Sequence, residues 1–444
     1  MDIIPGKVLQ DKRLWLIFAM AVTRMGFYGF RYFPLLDDYI QYGIYPFVNH
    51  PIKEIFIPAK LFAYRPLAHL ADIYVWGRFW PALGFVFIAI TILHAISAYL
   101  FVLTSEKLHA PLGMLFVVVY LLSPINVEAS YWISASSRII VGLFFCAVSV
   151  YCLVLKKHTA SSVAQFIAMF LYEQIAVVSF AANAIIIMRH KQYRQFLMLA
   201  INVTVFVLYY GLFVEITNER ADISREIINF NTVKQALTPW LYTRLYTTGF
   251  TRGNAMAGWY YIPIIILSIL AAFVEQTEKV SIKMLLVGLW LFVAPQLPLL
   301  MLANNHISFR TCAPSLAGIA VIVDNLSNVL GKAKLTVTLC LTIVFMVVCV
   351  SELFDYRENY LYDRQIVDYV ATNLDLGGKN AVIEAKDAYI EQNVFFVDHI
   401  KSVTSSDWAL TGCVRQYFGD RTIPMIQINP RDTQDINLIS LIDF

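Results

Sequence analysis

Apolar segments of about twenty residues recur along the first 353 residues of this 444-residue chain, and each is long enough to cross the roughly 30 Å hydrocarbon layer of a bilayer. One soluble core cannot absorb them. Hydrophobic residues make up 59% of the chain and charged residues 15%, against about 25% charged in an ordinary soluble domain. A membrane β-barrel would show alternating strands of about ten residues, which are not visible here. The pattern predicts an all-α polytopic membrane protein.

Candidate spans cover 14–33, 81–103, 108–123, 138–155, 160–171 with 174–188, 196–216, 259–275, 281–303, 309–330 and 335–353. Residues 160–188 read as one long helix, or as two short ones meeting at Tyr172-Glu173-Gln174. Basic loops favour the cytoplasmic side of a membrane. With the N-terminus inside, Lys156, Lys157, Lys332 and Lys334 obey that rule; Arg189, Lys191 and Arg194 obey it only if 160–188 enters and returns. A hairpin with Glu173 near its tip is adopted, giving about ten to eleven membrane helices, a cytoplasmic N-terminus and an exterior C-terminus. Lys7, Lys12 and Arg13 precede the first apolar run, and Ala19-Met20-Ala21 imitates a signal-peptidase site. The apolar run before it is too short for a signal peptide, so the segment is read as a retained first helix.

This topology divides the chain into a membrane domain over 1–353 and a small extracytoplasmic α/β domain over 354–444. Two further exterior stretches are 34–80, whose Phe, Tyr and Trp content suits helices lying in the interface plane, and 217–258. In the tail, 357–373 and 405–418 have helical character, while 380–384 and 423–428 look like strands. A net charge of +3 argues against a nucleic-acid surface. The six cysteines show no CxxC or His/Cys ligand spacing, so neither a zinc site nor a disulfide framework is indicated.

Asp37 and Asp38 follow the first span directly, among Phe33, Leu35, Leu36, Tyr39, Tyr42, Tyr45 and Phe47. Paired carboxylates can act as a general base, as metal ligands or as a solvated loop. Apolar surroundings desolvate a carboxylate and raise its pKa, which suits a base working near neutral pH. Arg65, Arg138 and Arg310 fall at the same exterior face. Guanidinium groups there either snorkel to headgroups or hold a phosphate or pyrophosphate through their planar fork. Arg24 sits mid-span, where charge is expensive; it either faces the interior and pairs with Glu173 or marks a helix that starts later. Glu173 is a site residue or the polar tip of a hairpin. His50, His69 and His306 read as interfacial histidines, and Asp324 as solvated at the cytoplasmic end of its helix.

The stretch SPINVEASYWISASSRIIVGLFF resembles the HP.H.EAV.WI.GR.DLL..LFF pattern of protein O-mannosyltransferase-like enzymes, with Ser123 and Asn126 in place of the histidines and Ser137 in place of the glycine. FLYEQIAVV and RTCAPSLAG resemble two further segments of that group. Together with the Asp pair and the Arg65-Pro66 loop, residues 14–330 resemble the GT-C superfamily of membrane glycosyltransferases. The size and compact tail look similar to Gtr-type and teichoic-acid-decorating bacterial members.

The resemblance implies transfer of a sugar, usually with inversion, from a polyprenyl-phosphate donor to an acceptor glycan outside the cytoplasmic membrane. Asp37 would be the general base, and Asp38 would support it, orient the acceptor or bind a divalent metal if one is used. Arg138, Arg310 and Arg65 would hold the donor phosphate; Glu173, Arg24, Glu128 and His306 would line the cavity. The absence of a Gly-rich phosphate loop fits a lipid donor in place of a nucleotide. Rival readings are a polysaccharide polymerase or ligase, a lipid-linked-sugar flippase, and a non-catalytic scaffold. Transporters usually carry internal repeats, and none is visible here.

Overall fold

The computed structural model describes residues 10–26, 30–58, 60–191, 193–214, 280–300, 309–373, 382–384, 402–428 and 438–440. The chain is mostly helical. Its main helices are α1 (Lys12–Gly26), α2 (Pro66–Tyr74), α3 (Leu83–Lys107), α4 (Met114–Leu122), α5 (Val127–Tyr131), α6 (Ile133–Val154), α7 (His158–Leu171), α8 (Glu173–His190), α9 (Tyr193–Phe213), α10 (Ile282–Val293), α11 (Leu316–Leu326), α12 (Ala333–Asn373) and α13 (Asp407–Phe418).

Four helical stretches among the described residues are long and apolar enough to cross a membrane: Leu83–Lys107, Ile133–Val154, Arg194–Phe213 and Arg310–Leu330. They become five if α4 and the bent segment after it form one span. This is fewer than the ten to eleven expected. The candidate at 259–275 and the loop 217–258 lie outside the described residues. Elsewhere the apolar runs are real but broken. The chain from His109 to Gly113 is not helical, so α4 begins only at Met114. Pro295 turns the end of α10 into a 3-10 segment. α7, with 14 residues, is only about 21 Å long and spans the hydrocarbon layer incompletely. α1 ends at Gly26, which places Arg24 in its last turn and not mid-span.

The hairpin at 160–188 forms. The Ser149 hydroxyl hydrogen-bonds the Ser161 carbonyl at 2.8 Å and Asn183 Oδ1 at 3.2 Å. Those partners lie equally far before and after Tyr172 along the chain, so α7 and α8 must run antiparallel. Tyr172, at φ −158° and ψ 132°, is the extended residue that reverses direction. Glu173 opens α8 while Arg189 and His190 close it, each charge matching the helix dipole at its end. α6 lies at the centre of the bundle, packed against α3, α7 and α8. α10 and α11 approach through Gly288 and Gly318, where a Cβ on Gly318 would strike the Phe292 amide and one on Gly288 the Ile322 side chain. Small residues at a crossing are how apolar helices pack closely in lipid.

The segment after α1 folds into short helices and leaves Phe47, Ile52, Phe56 and Phe79 exposed. Beyond the bundle, α12 continues unbroken across residue 353, where the composition changes. Three short parallel strands follow in the order β2 (Gln427–Ile428), β1 (Val382–Glu384), β3 (Leu438–Ser440). α13 docks on the segment that carries the aspartate pair. A Cβ on Gly412 would strike the Tyr39 carbonyl, and one on Gly43 the Trp408 carbonyl. Arg415 locks the junction by donating to the carbonyls of Tyr42 (3.0 Å), Gly43 (3.2 Å) and Ile423 (2.7 Å).

Asp363 of α12 fastens the start of this tail. It accepts the Ser402 hydroxyl at 2.8 Å and the Val403 amide at 3.1 Å, and is fully buried. Burial pushes its pKa from the ordinary 3.8 to about 7, against the pull of those two donors. A carboxyl whose folded pKa is raised contributes stability that is complete below its unfolded pKa and is lost as pH rises through the folded one. Asp363→Asn is therefore expected to gain on the wild type between about pH 5 and about pH 8, by on the order of 3 kcal/mol. Thermal unfolding at both pH values tests this; equal shifts at both would remove Asp363 as the titrating group.

Candidate functional site

The two adjacent aspartates face opposite ways. A 3-10 turn at Leu36–Tyr39 rotates Asp38 into the protein, where it is 3% exposed. It accepts the Leu35 amide at 3.1 Å, the Ser134 amide at 3.0 Å and the Tyr32 hydroxyl. The Ser134 bond satisfies an amide in the first turn of α6, whose N-cap residue Trp132 supplies no side-chain cap. Burial raises the Asp38 pKa to about 6, and the three donors oppose the rise. Asp38 thus holds the loop against α6, with both oxygens engaged.

Asp37 keeps 30% of its side chain exposed and pairs with Arg310 at 2.6 Å. Arg310 also donates its backbone amide to Glu128 Oε2 at 3.1 Å, and its Nε lies 3.6 Å from Glu128 Oε1. The guanidinium sits 5.8 Å from the Trp132 ring centroid. Glu128 is 4% exposed and belongs to α5, so the SPINVEASYW stretch and the RTCAPSLAG helix start meet at one ion-pair cluster.

Arg65 is the N-cap residue of α2. Its fork meets Glu173 in a bidentate pair at 2.8 and 2.6 Å and lies 4.4 Å from the Tyr172 ring centroid. Glu173 is therefore a partner of Arg65; the pairing with Arg24 considered from the sequence rests on a side chain outside the described residues. Arg138 is held by Asp72 at 3.0 Å, with side chains 13% and 3% exposed. Asp72 also accepts the Ser137 hydroxyl at 2.9 Å and the Tyr45 hydroxyl at 3.1 Å. Tyr45 in turn meets His69 Nδ1 at 2.7 Å. Tyr172, at the hairpin tip, feels the charges of Arg65, Arg310 and Arg138 together.

Asp37, Glu128 and Arg310 thus form one ionic group, Arg65 and Glu173 a second that lies against the Tyr172 ring, and Arg138 and Asp72 a third. The Arg24 side chain and His306 lie outside the described residues. Two sequence expectations are corrected. His69 is buried at 2% exposure and not interfacial; burial, then the charges of Arg138 and Arg65, pull its pKa well below the ordinary value. Asp324 is also buried, at 3%, paired with Lys334 at 3.0 Å and accepting the Gly113 amide at 2.9 Å. In both places a polar group in a greasy setting found a partner and stayed inside.

Asp72 and Tyr45 were missed. The available signal was the spacing of Arg65, His69 and Asp72, which puts one polar stripe on the otherwise apolar α2. Among the described residues, no group of three or more His, Cys, Asp or Glu side chains is arranged to hold a metal ion. Comparison with protein families, with curated proteins and with solved structures finds no match for this chain.

Proposed function

We propose that this chain is a GT-C-type membrane glycosyltransferase that moves a sugar from a polyprenyl-phosphate donor to an extracytoplasmic glycan acceptor, with inversion. In this reading it lies in a bacterial cytoplasmic membrane, with about ten to eleven spans, its N-terminus inside and its tail outside. The observation that carries the proposal is the division of labour in the aspartate pair. Asp38 is consumed by structure, while Asp37 stays half-exposed on the guanidinium of Arg310, beside a cluster containing two more arginines.

The chemistry follows from that placement. The donor phosphate competes with Asp37 for Arg310, which frees the carboxylate to take the proton of the acceptor hydroxyl. The acceptor oxygen forms its bond to the anomeric carbon as the bond from that carbon to the phosphate oxygen breaks. The phosphate departs as an anion, stabilised by arginine and needing no acid. Arg65 and Arg138 stay with their carboxylate partners and add positive potential at the hairpin tip. This is a single-base displacement, unlike the two-carboxyl arrangement of glycoside hydrolases.

The test is sugar transfer by the purified full-length protein in detergent, supplied with radiolabelled polyprenyl-phosphate hexoses and a cell-envelope acceptor fraction. The expected result is labelled glycan with release of polyprenyl phosphate in equal amount. Movement of intact lipid-linked sugar across vesicles, with no labelled glycan from any donor, would replace the proposal with a flippase.

A further inference from the structure

At the end of the bundle remote from Asp37 lies a cavity of about 120 Å³, lined among others by Phe101, Thr104, Phe116, Ala182, Leu291 and Ala317, with Arg189 on its wall. The separation follows from the helices. α8 starts at Glu173 in the candidate site and reaches Arg189 about 24 Å further along its axis. We propose that this cavity takes a segment of several methylenes from one hydrocarbon chain of an anionic phospholipid whose headgroup rests on Arg189.

Four observations support the assignment. The wall is overwhelmingly apolar, and the volume is comparable to the roughly 150 Å³ apolar cavity that binds a benzene ring in another protein. Left empty, such a space costs the fold contacts that several methylenes would restore. Thr104 on this wall is 5% exposed, and its hydroxyl is buried with no hydrogen-bond partner among the described residues, a state that buried polar groups avoid. Arg189 is exposed and donates to the carbonyl of Leu108, one helical turn after Thr104.

That order matches a phospholipid: headgroup phosphate at Arg189, ester carbonyl at Thr104, chain running inward past Phe101. Lys191 and Arg194, exposed beside Arg189, add the positive field that draws anionic lipids to such a loop. The proposed sugar donor would bind at the other end, so the inference stands independently of the glycosyltransferase reading.

Native mass spectrometry of the full-length protein, offered equal amounts of dioleoyl phosphatidylglycerol and dioleoyl phosphatidylcholine, tests it. The wild type is expected to favour phosphatidylglycerol about five-fold, the discrimination that one basic residue gives near a surface. Arg189→Gln should lower that preference by more than half, leaving the weaker pull of Lys191 and Arg194. Thr104→Val keeps the shape of the wall and should weaken retention of phosphatidylglycerol about two- to ten-fold. Equal retention of both lipids by the wild type would overturn the proposal. So would adducts unchanged in both variants, since neither substitution removes packing volume needed for folding.

Discussion

Replacing Asp37 by asparagine is expected to lower sugar transfer by about 10²- to 10⁴-fold, the usual contribution of a positioned general base, with folding and donor binding retained. Asp37 is partly exposed, and its ion-pair partner among the described residues is Arg310, from which an asparagine oxygen can still accept. Asp38→Asn should behave differently. An amide at that position keeps a single acceptor oxygen, so it can serve either the Ser134 amide or the Leu35 amide and Tyr32 hydroxyl, and it turns an NH2 group toward the donors on the other side. The expected effect is a loss of about 1–3 kcal/mol in stability. Transfer rates per folded molecule, measured beside thermal unfolding for both variants, separate the roles. Equal loss of transfer at constant stability in the two variants would defeat the assignment of Asp37 alone as base.

Asp72→Ala is expected to destabilise the protein by about 3–5 kcal/mol, the cost of stranding one member of a buried ion pair. The substitution leaves the nearly buried Arg138 guanidinium without its carboxylate, and removes the acceptor for Ser137 and Tyr45. The pair itself need not stabilise the fold, because two desolvated charges recover little more than their dehydration cost. A double-mutant cycle makes the distinction. Asp72→Leu combined with Arg138→Met should restore most of the stability lost in Asp72→Ala. It should still fail in sugar transfer if Arg138 contributes positive potential at the site. A double variant as unstable as the single would mean that Asp72 matters through packing or the Tyr45–His69 contact.

Asp37, Glu128, Arg310, Arg65 and Glu173 were all legible as candidates because charge is costly in an apolar chain and must be paired or used. The sequence did not say who pairs with whom. Arg65 with Glu173 and Arg310 with Asp37 are contacts between residues more than one hundred positions apart, beyond any local spacing rule. Asp72 escaped notice for a related reason. An isolated carboxylate on a short helix looks solvated until Arg138, from another helix, is brought against it.

Hydrophobic run length determined that this is a mostly helical chain with several helices able to cross a bilayer, because nothing else accommodates so much apolar side chain. Basic loops determined that 160–188 turns back at Tyr172. Tertiary structure decided how many apolar runs became full spans, since a run packed inside the bundle and a run facing lipid have the same composition. It also decided the difference between Asp37 and Asp38. Neighbours in sequence share hydropathy and charge, but a single 3-10 turn sent one carboxylate inward to donors on α6 and left the other outside, on Arg310.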